Sequence, residues 1–204
     1  MSRWKRISLL IIFTLIFGII ASFHESRLGK WIDNEVYEFI YSSESFITTT
    51  FFLGVTKIGE VWAMVCLSLL LIAYLMLKKL NIEALFFAIA MSLSSTLNPL
   101  LKNIFDRERP TLLRLIDISG FSFPSGHAMG SAAFFGSTIY IANRVLKGKT
   151  KGIMIGLSEL FIILISSSRV YLGVHYPTDI IAGIIGGAFC VVLSTLILRH
   201  KLKI

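Results

Sequence analysis

The chain is 204 residues long, 55% hydrophobic and 16% charged, with a formal net charge of +8. So apolar a composition excludes an ordinary soluble domain. The basic balance alone would admit a nucleic-acid partner, but the charges sit mostly outside the apolar runs, in positions that suit a membrane protein and make nucleic acid unnecessary.

The apolar runs are long enough to cross a hydrocarbon core of about 30 Å, for which roughly 20 helical residues suffice. Residues 1–6 are short and basic, and an apolar run covers 7–23. Basic followed by apolar is also the pattern of a signal peptide. The run is long for one, and no clear small-x-small cleavage site follows, so a retained first span is expected. Residues 24–60 are mixed. Trp31, Ile32, Val36, Phe39 and Ile40 recur at helical spacing among Asp33, Glu35 and Glu38. This predicts an amphipathic helix lying at the interface, either roofing a site, guiding a lipid or simply connecting two spans. A second span is predicted over 61–77 and a tight turn over 78–82. A third span runs over 83–101, with a kink near Pro99. A polar loop covers 102–124, a fourth span 125–145, a basic turn 147–151, a fifth span 152–167 and a sixth 178–198. The expected fold is all-α, a single membrane domain over 1–204 with six transmembrane helices and an interfacial helical segment between the first two.

Six spans place the N-terminus, the 78–82 turn, the 144–151 segment and the tail on one side. Those segments hold 12 of the 20 basic residues, and the other side holds ten of the 12 acids. Basic segments stay in the cytoplasm, so both termini are expected inside and the loops 24–60, 102–125 and 167–178 outside. Cys66 and Cys190 fall inside predicted spans and read as packing residues. The pairs Gly126/Gly130, Gly152/Gly156 and Gly183/Gly187 have the spacing that lets helices approach closely. Glu159 lies within the fifth span, where an ionisable group is a functional candidate or a structural hydrogen-bonding residue.

The chemistry is concentrated in the outward loops. His175 precedes Pro177, which suits the first turn of a helix and pushes Tyr176 out of helical geometry. Asp179 then falls in that first turn, where its carboxylate can reach back to a ring N–H of His175. A histidine so held can attack phosphorus if cations grip the phosphate. Lys102 and Arg109 are seven residues apart, which puts both on one helix face if the third helix continues past Lys102. Ser125 is a good N-cap, Gly126 allows close approach to the backbone, and the free N–H groups of that helix start suit an anion. His127 is placed to protonate a leaving oxygen. No Cys/His cluster has zinc-ligand spacing, and no Gly-x-x-x-x-Gly-Lys-Ser/Thr loop is present.

Taken together, Lys102-x6-Arg109-Pro110, Pro124-Ser125-Gly126-His127 and Ser168-Arg169-x5-His175-x3-Asp179 resemble the three motifs of the type-2 phosphatidic acid phosphatase family, complete and in order. The resemblance covers 102–179 by motif and most of the chain by its six-span pattern, leaving 24–60 outside. It implies His175 as nucleophile, Asp179 as its orienting carboxylate and His127 as general acid and then base. It also implies Lys102, Arg109 and Arg169 as the phosphate clamp, helped by the Ser125 hydroxyl and the Gly126 N–H. No metal or other cofactor is implied, and no protein partner. The implied substrate is a lipid phosphate at the outer face of a bacterial-type cytoplasmic membrane. Phosphatidylglycerol phosphate comes first, with undecaprenyl pyrophosphate and phosphatidic acid as alternatives. Phosphate transfer to another lipid and anion transport are remoter readings.

Overall fold

The computed structural model describes residues 2–42, 44–111 and 114–199. Among these residues eight helices follow in chain order: α1 Arg3–Phe23, α2 Arg27–Tyr41, α3 Phe46–Ile58, α4 Val61–Leu77, α5 Asn81–Phe105, α6 Gly126–Val145, α7 Gly148–Tyr171 and α8 Pro177–Ile197. No strand occurs among the described residues. The tail beyond Arg199 lies outside them.

Four helices are long and apolar enough to cross a membrane: α1, α5, α7 and α8. The pair α3 and α4, bent by 53° at the break between them, makes a fifth if counted as one span. The expectation of six spans is thus met only to four or five on length and composition. α4 has 17 residues by itself. α6 carries Gly, Ser, His and Asn along its length and is not among the apolar candidates. Its small polar residues have a packing reason, because α6 is the hub of the bundle and lies against α5, α7 and α8. Ser131 and Ser137 on it are fully buried. The turn expected over 147–151 is shorter than that, since α7 already starts at Gly148 and carries Lys149 and Lys151 in its first turns.

One glycine pair sets the approach of α8 to α6. A Cβ at Gly187 would lie 2.5 Å from Met129 O and 2.6 Å from Ala132 Cβ, and one at Gly183 would lie 2.7 Å from Ser125 O. Gly183 and Gly187 therefore let α8 press on the first turns of α6. Gly130, Gly152 and Gly156 face open space, so they do not pack helices within this chain.

Segment 24–60 forms two helices rather than one. The inward face of α2 is Gly29, Asp33 and Tyr37, all buried, whereas Trp31 and Phe39 are exposed. Of the apolar stripe read from the sequence, Trp31, Val36 and Phe39 point away from the bundle while Ile40 packs on its core, and Asp33, grouped there with Glu35 and Glu38, is completely enclosed. The reason is tertiary: a buried arginine from another segment waits for that carboxylate. Glu159 is exposed midway along α7.

Candidate active site

The C-terminal ends of α1, α5 and α7 and the N-terminal ends of α4, α6 and α8 meet at one end of the bundle. α7 stops where Gly173 takes a left-handed φ of 71°, a conformation that glycine adopts without strain. The chain reverses there, and the N–H groups of Val174 and His175 bond back to Arg169 O. Tyr176 is extended (φ −78°, ψ 154°), Pro177 opens α8, and Tyr176 N donates to Asp179 Oδ2 at 2.8 Å. The expected return of Asp179 onto His175 is present: Nδ1 lies 3.3 Å from Asp179 Oδ2.

The hydrogen-bond partners assign the tautomer. Arg109 Nη1 is 3.2 Å from His175 Nε2, and a guanidinium can only donate. Nε2 therefore carries the lone pair and Nδ1 the proton. Ser122 completes the arrangement. Its hydroxyl donates to Asp179 Oδ2 and lies 3.2 Å from His175 Nδ1, so it shares that ring proton as a second acceptor. Burial pushes the imidazolium of His175 down to about 3; Asp179 acts against this, while Arg109 and Lys102 push the same way as burial. The ring is neutral at ordinary pH, with its lone-pair nitrogen facing a cation.

Lys102 lies in the last turn of α5, but Arg109 does not share its helix face. α5 ends at Phe105, and Asp106 turns the chain with a left-handed φ of 37°. Beyond it the chain has no regular secondary structure, and its side chains alternate: Arg107 and Arg109 turn inward while Glu108 is exposed. The two cations converge on His175 all the same, through this alternation rather than helical periodicity. Arg109 is tethered by Gly120 O at 2.9 Å and Val174 O at 2.8 Å, and burial lowers its pKa. Lys102 Nζ donates to Phe121 O and, at 3.4 Å, to Ser122 O. Arg169 is buried, donates to Thr56 Oγ1 at 2.6 Å, and has no partner for Nε.

On α6, Ser125 is fully buried and caps the helix by accepting from Ala128 N at 3.5 Å. Its own N–H donates to Asp179 O at 3.0 Å, which ties the second motif to the third. A Cβ at Gly126 would come within 3.0 Å of Asn98 Oδ1, so that glycine also makes room for a neighbouring side chain. Asn98 in turn donates to Pro124 O at 3.2 Å. His127 follows, with Nε2 buried, unbonded, and 3.9 Å from Glu60 Oε1. Gly59 leaves space for its ring: a Cβ there would lie 2.6 Å from His127 Cδ2. The elbow between α3 and α4 thus roofs His127.

All eight expected site residues lie at this end of the bundle. Ser122, Arg107, Asp33, Thr56, Glu60 and Asn98 were missed. They lie within loops or helices whose local pattern carries no chemical signature. The one available signal was Arg107, a second arginine at alternating spacing with Arg109.

An all-helical membrane bundle with this set of cations and histidines at the ends of its helices is the architecture of the PAP2 superfamily; its family model matches residues 83–203, and the chain belongs to it. Phosphatidylglycerophosphatase B of Bacillus subtilis is 30% identical over 132 residues, which are 64% of this chain and 65% of that relative's length. Undecaprenyl-diphosphatase of Sulfolobus acidocaldarius is 26% identical over 94% of this chain and 88% of its own length. Lipid A 4'-phosphatase of Bacteroides thetaiotaomicron is 33% identical over 58% and 57% of the two chains. The crystal structure of a PAP2-type phosphatidylglycerolphosphate phosphatase from Bacillus subtilis superposes with a TM-score of 0.86 at 25% identity, covering 96% of each chain. The fold is also that of Aquifex aeolicus LpxE, with a TM-score of 0.66 at 21% identity over 78% of this chain and 92% of that one.

Proposed function

We propose that the chain is a metal-independent lipid phosphate phosphatase working through a phosphohistidine. The observation that carries this is the assigned tautomer of His175: Nδ1–H is directed at Asp179 and the Nε2 lone pair faces Arg109. Nε2 attacks phosphorus and the bond from phosphorus to the lipid oxygen breaks. His127 gives its proton to that oxygen. Water then attacks the phosphohistidine, losing a proton to His127, and phosphate leaves with His175 restored. Lys102, Arg109 and Arg169 hold the phosphoryl oxygens, where charge builds during the transfer. The Ser125 hydroxyl accepts from the backbone, so its own proton remains to donate to phosphate, next to the Gly126 N–H.

The substrate we place first is phosphatidylglycerol phosphate, supported by the fold match over nearly all of both chains. Undecaprenyl pyrophosphate is the second reading, supported by a relative of that activity aligned over 94% of this chain. A lipid is further supported by an apolar cleft of about 190 Å³ between α1, α5, α6 and α8, lined by Phe13, Phe17, Leu97, Leu101, Met129 and Phe189. Leu101 immediately precedes Lys102, so a chain in this cleft leads to the clamp. We read α4 and α6 as spans as well, giving six, with the site at the outer face of a cytoplasmic membrane and both termini inside.

The test is phosphate release from both lipids in EDTA by the purified full-length chain, its His175→Ala variant, and wild type with orthovanadate. Wild type is expected to release phosphate in EDTA and to be inhibited by vanadate, a five-coordinate mimic of the transferring phosphoryl. His175→Ala is expected to fall to background. Substantial turnover by that variant, or indifference to vanadate, overturns the mechanism; the preferred lipid decides between the two substrates.

A further inference from the structure

Behind Asp179 lies a second charged layer to which the phosphohistidine reading gives no part. Arg107 is buried and bridges two carboxylates. Nη1 donates to Asp179 Oδ1 at 2.6 Å, and Nη2 donates to Asp33 Oδ2 at 2.8 Å. Nη1 also donates to Thr178 Oγ1 at 2.8 Å, and the guanidinium stands 4.0 Å over the ring of Tyr176. Asp33 closes the loop by accepting from Thr178 N at 2.9 Å and Thr178 Oγ1 at 2.7 Å. Both carboxylates are completely enclosed. Asp179 has its two oxygens divided between tasks: Oδ1 takes Arg107, while Oδ2 takes Ser122, Tyr176 N and the ring proton of His175.

We infer that Arg107 and Asp33 are positioning residues for the reaction, setting respectively the orientation and the effective charge of Asp179 beneath His175. This rests on His175 being the nucleophile. Arg107 fixes the plane of the Asp179 carboxylate, because a bonded Oδ1 leaves Oδ2 aimed at Nδ1. Left alone, though, the guanidinium would cancel the charge that Asp179 must offer to a ring turning cationic as it takes up phosphorus. Asp33 removes that difficulty. Two carboxylates and one guanidinium leave the layer with one net negative charge while His175 is neutral, and that charge is matched when the ring becomes positive. The helix that supplies Asp33 is α2, so the interfacial segment is tied to the reaction through one hydrogen-bonded chain. A planar guanidinium can bridge two carboxylates through separate nitrogens, which a lysine ammonium does with no fixed geometry.

The experiment compares Arg107→Gln, Arg107→Lys and Asp33→Asn with wild type in the detergent-solubilised full chain. Asp33→Asn is nearly isosteric and keeps an oxygen for Thr178 N, so it is the variant of choice if Arg107→Gln does not fold. The readouts are kcat, KM, inhibition by orthovanadate and inhibition by inorganic phosphate. Vanadate must bond to Nε2 and so reports the position of His175; phosphate needs only the clamp of Lys102, Arg109 and Arg169. The expected result is a kcat lowered by about 10- to 100-fold and vanadate inhibition weakened by a similar factor, as for a misoriented reacting group. KM and phosphate inhibition stay near wild type, and Arg107→Lys falls in between. A folded Asp33→Asn with wild-type kcat and vanadate inhibition overturns the inference. So does a parallel weakening of vanadate and phosphate, which is what a merely structural role produces. His175→Ala run alongside separates the failures. If it retains turnover, the underlying mechanism is wrong; if it is inactive while Asp33→Asn is unaffected, only the positioning role is lost.

Discussion

His175 is enclosed and uncharged, which has a consequence for stability as well as for chemistry. Its pKa is pushed down to about 3, first by burial, while the unfolded chain carries a histidine of ordinary pKa, 6.5. Between those values the unfolded state binds the proton and the folded state does not. Stability therefore rises with pH across that window, is fully present above the unfolded value, and is lost progressively as pH falls below it. The melting temperature in detergent is expected to drop between pH 7 and pH about 4 in wild type and to drop less in His175→Gln. Equal slopes for the two would show that His175 is not held neutral. Ser122 belongs to the same scale, since a single hydroxyl serves both the carboxylate and the ring.

At the scale of elements, the contact of α8 with α6 joins packing to the candidate site. Gly183 and Gly187 bring α8 close enough for Asp179 O to accept from Ser125 N, so the helix bearing the carboxylate and the helix bearing His127 share a hydrogen bond. Gly187→Val has no space to enter, because its first carbon already meets backbone at Met129 O. Overpacking of this kind costs about 1–3 kcal/mol. The variant is expected to melt several degrees lower and to lose activity as α6 is displaced. Gly156→Val, whose Cβ meets nothing within 4 Å, is expected to melt and turn over like wild type. Matching behaviour of the two variants would mean that α8 does not rest on α6 through these glycines. α3 is anchored in the same manner from the other side, by Thr48 and Thr49 each 2.8 Å from the hydroxyl of Tyr171.

For the whole molecule, the arrangement of charge bears on the proposed orientation. Lys78, Lys79, Lys147, Lys149 and Lys151 lie at the end of the bundle opposite His175 and Asp179, where the acids Glu60, Asp106, Glu108 and Asp117 gather. The tendency of basic segments to stay in the cytoplasm supports the proposed outward-facing site. In a background with Cys66 and Cys190 replaced, Asp117→Cys is expected to react with an impermeant maleimide on intact cells, and Lys149→Cys only after permeabilisation. The reverse pattern would turn the molecule over and put the site inside.

The three motifs and the apolar runs were legible in the sequence because each is local. A histidine two residues before a proline, a carboxylate in the next helical turn and a serine ahead of an apolar helix are set by spacing along the chain. Even the convergence of Lys102 and Arg109 was anticipated, although an irregular segment after α5 achieves it and not a continued helix. Asp33 shows where such reasoning stops. On its own helix it looks like one more solvated acid beside Glu35 and Glu38. Only the packed molecule brings it to Arg107, 74 residues away in sequence. The same holds for Ser122, Thr56 and Glu60. The composition, runs and motifs of the chain determined by themselves its membrane class and its family. Tertiary structure alone decided which buried charges neutralise one another, because a charge can be enclosed only where a distant segment supplies its partner.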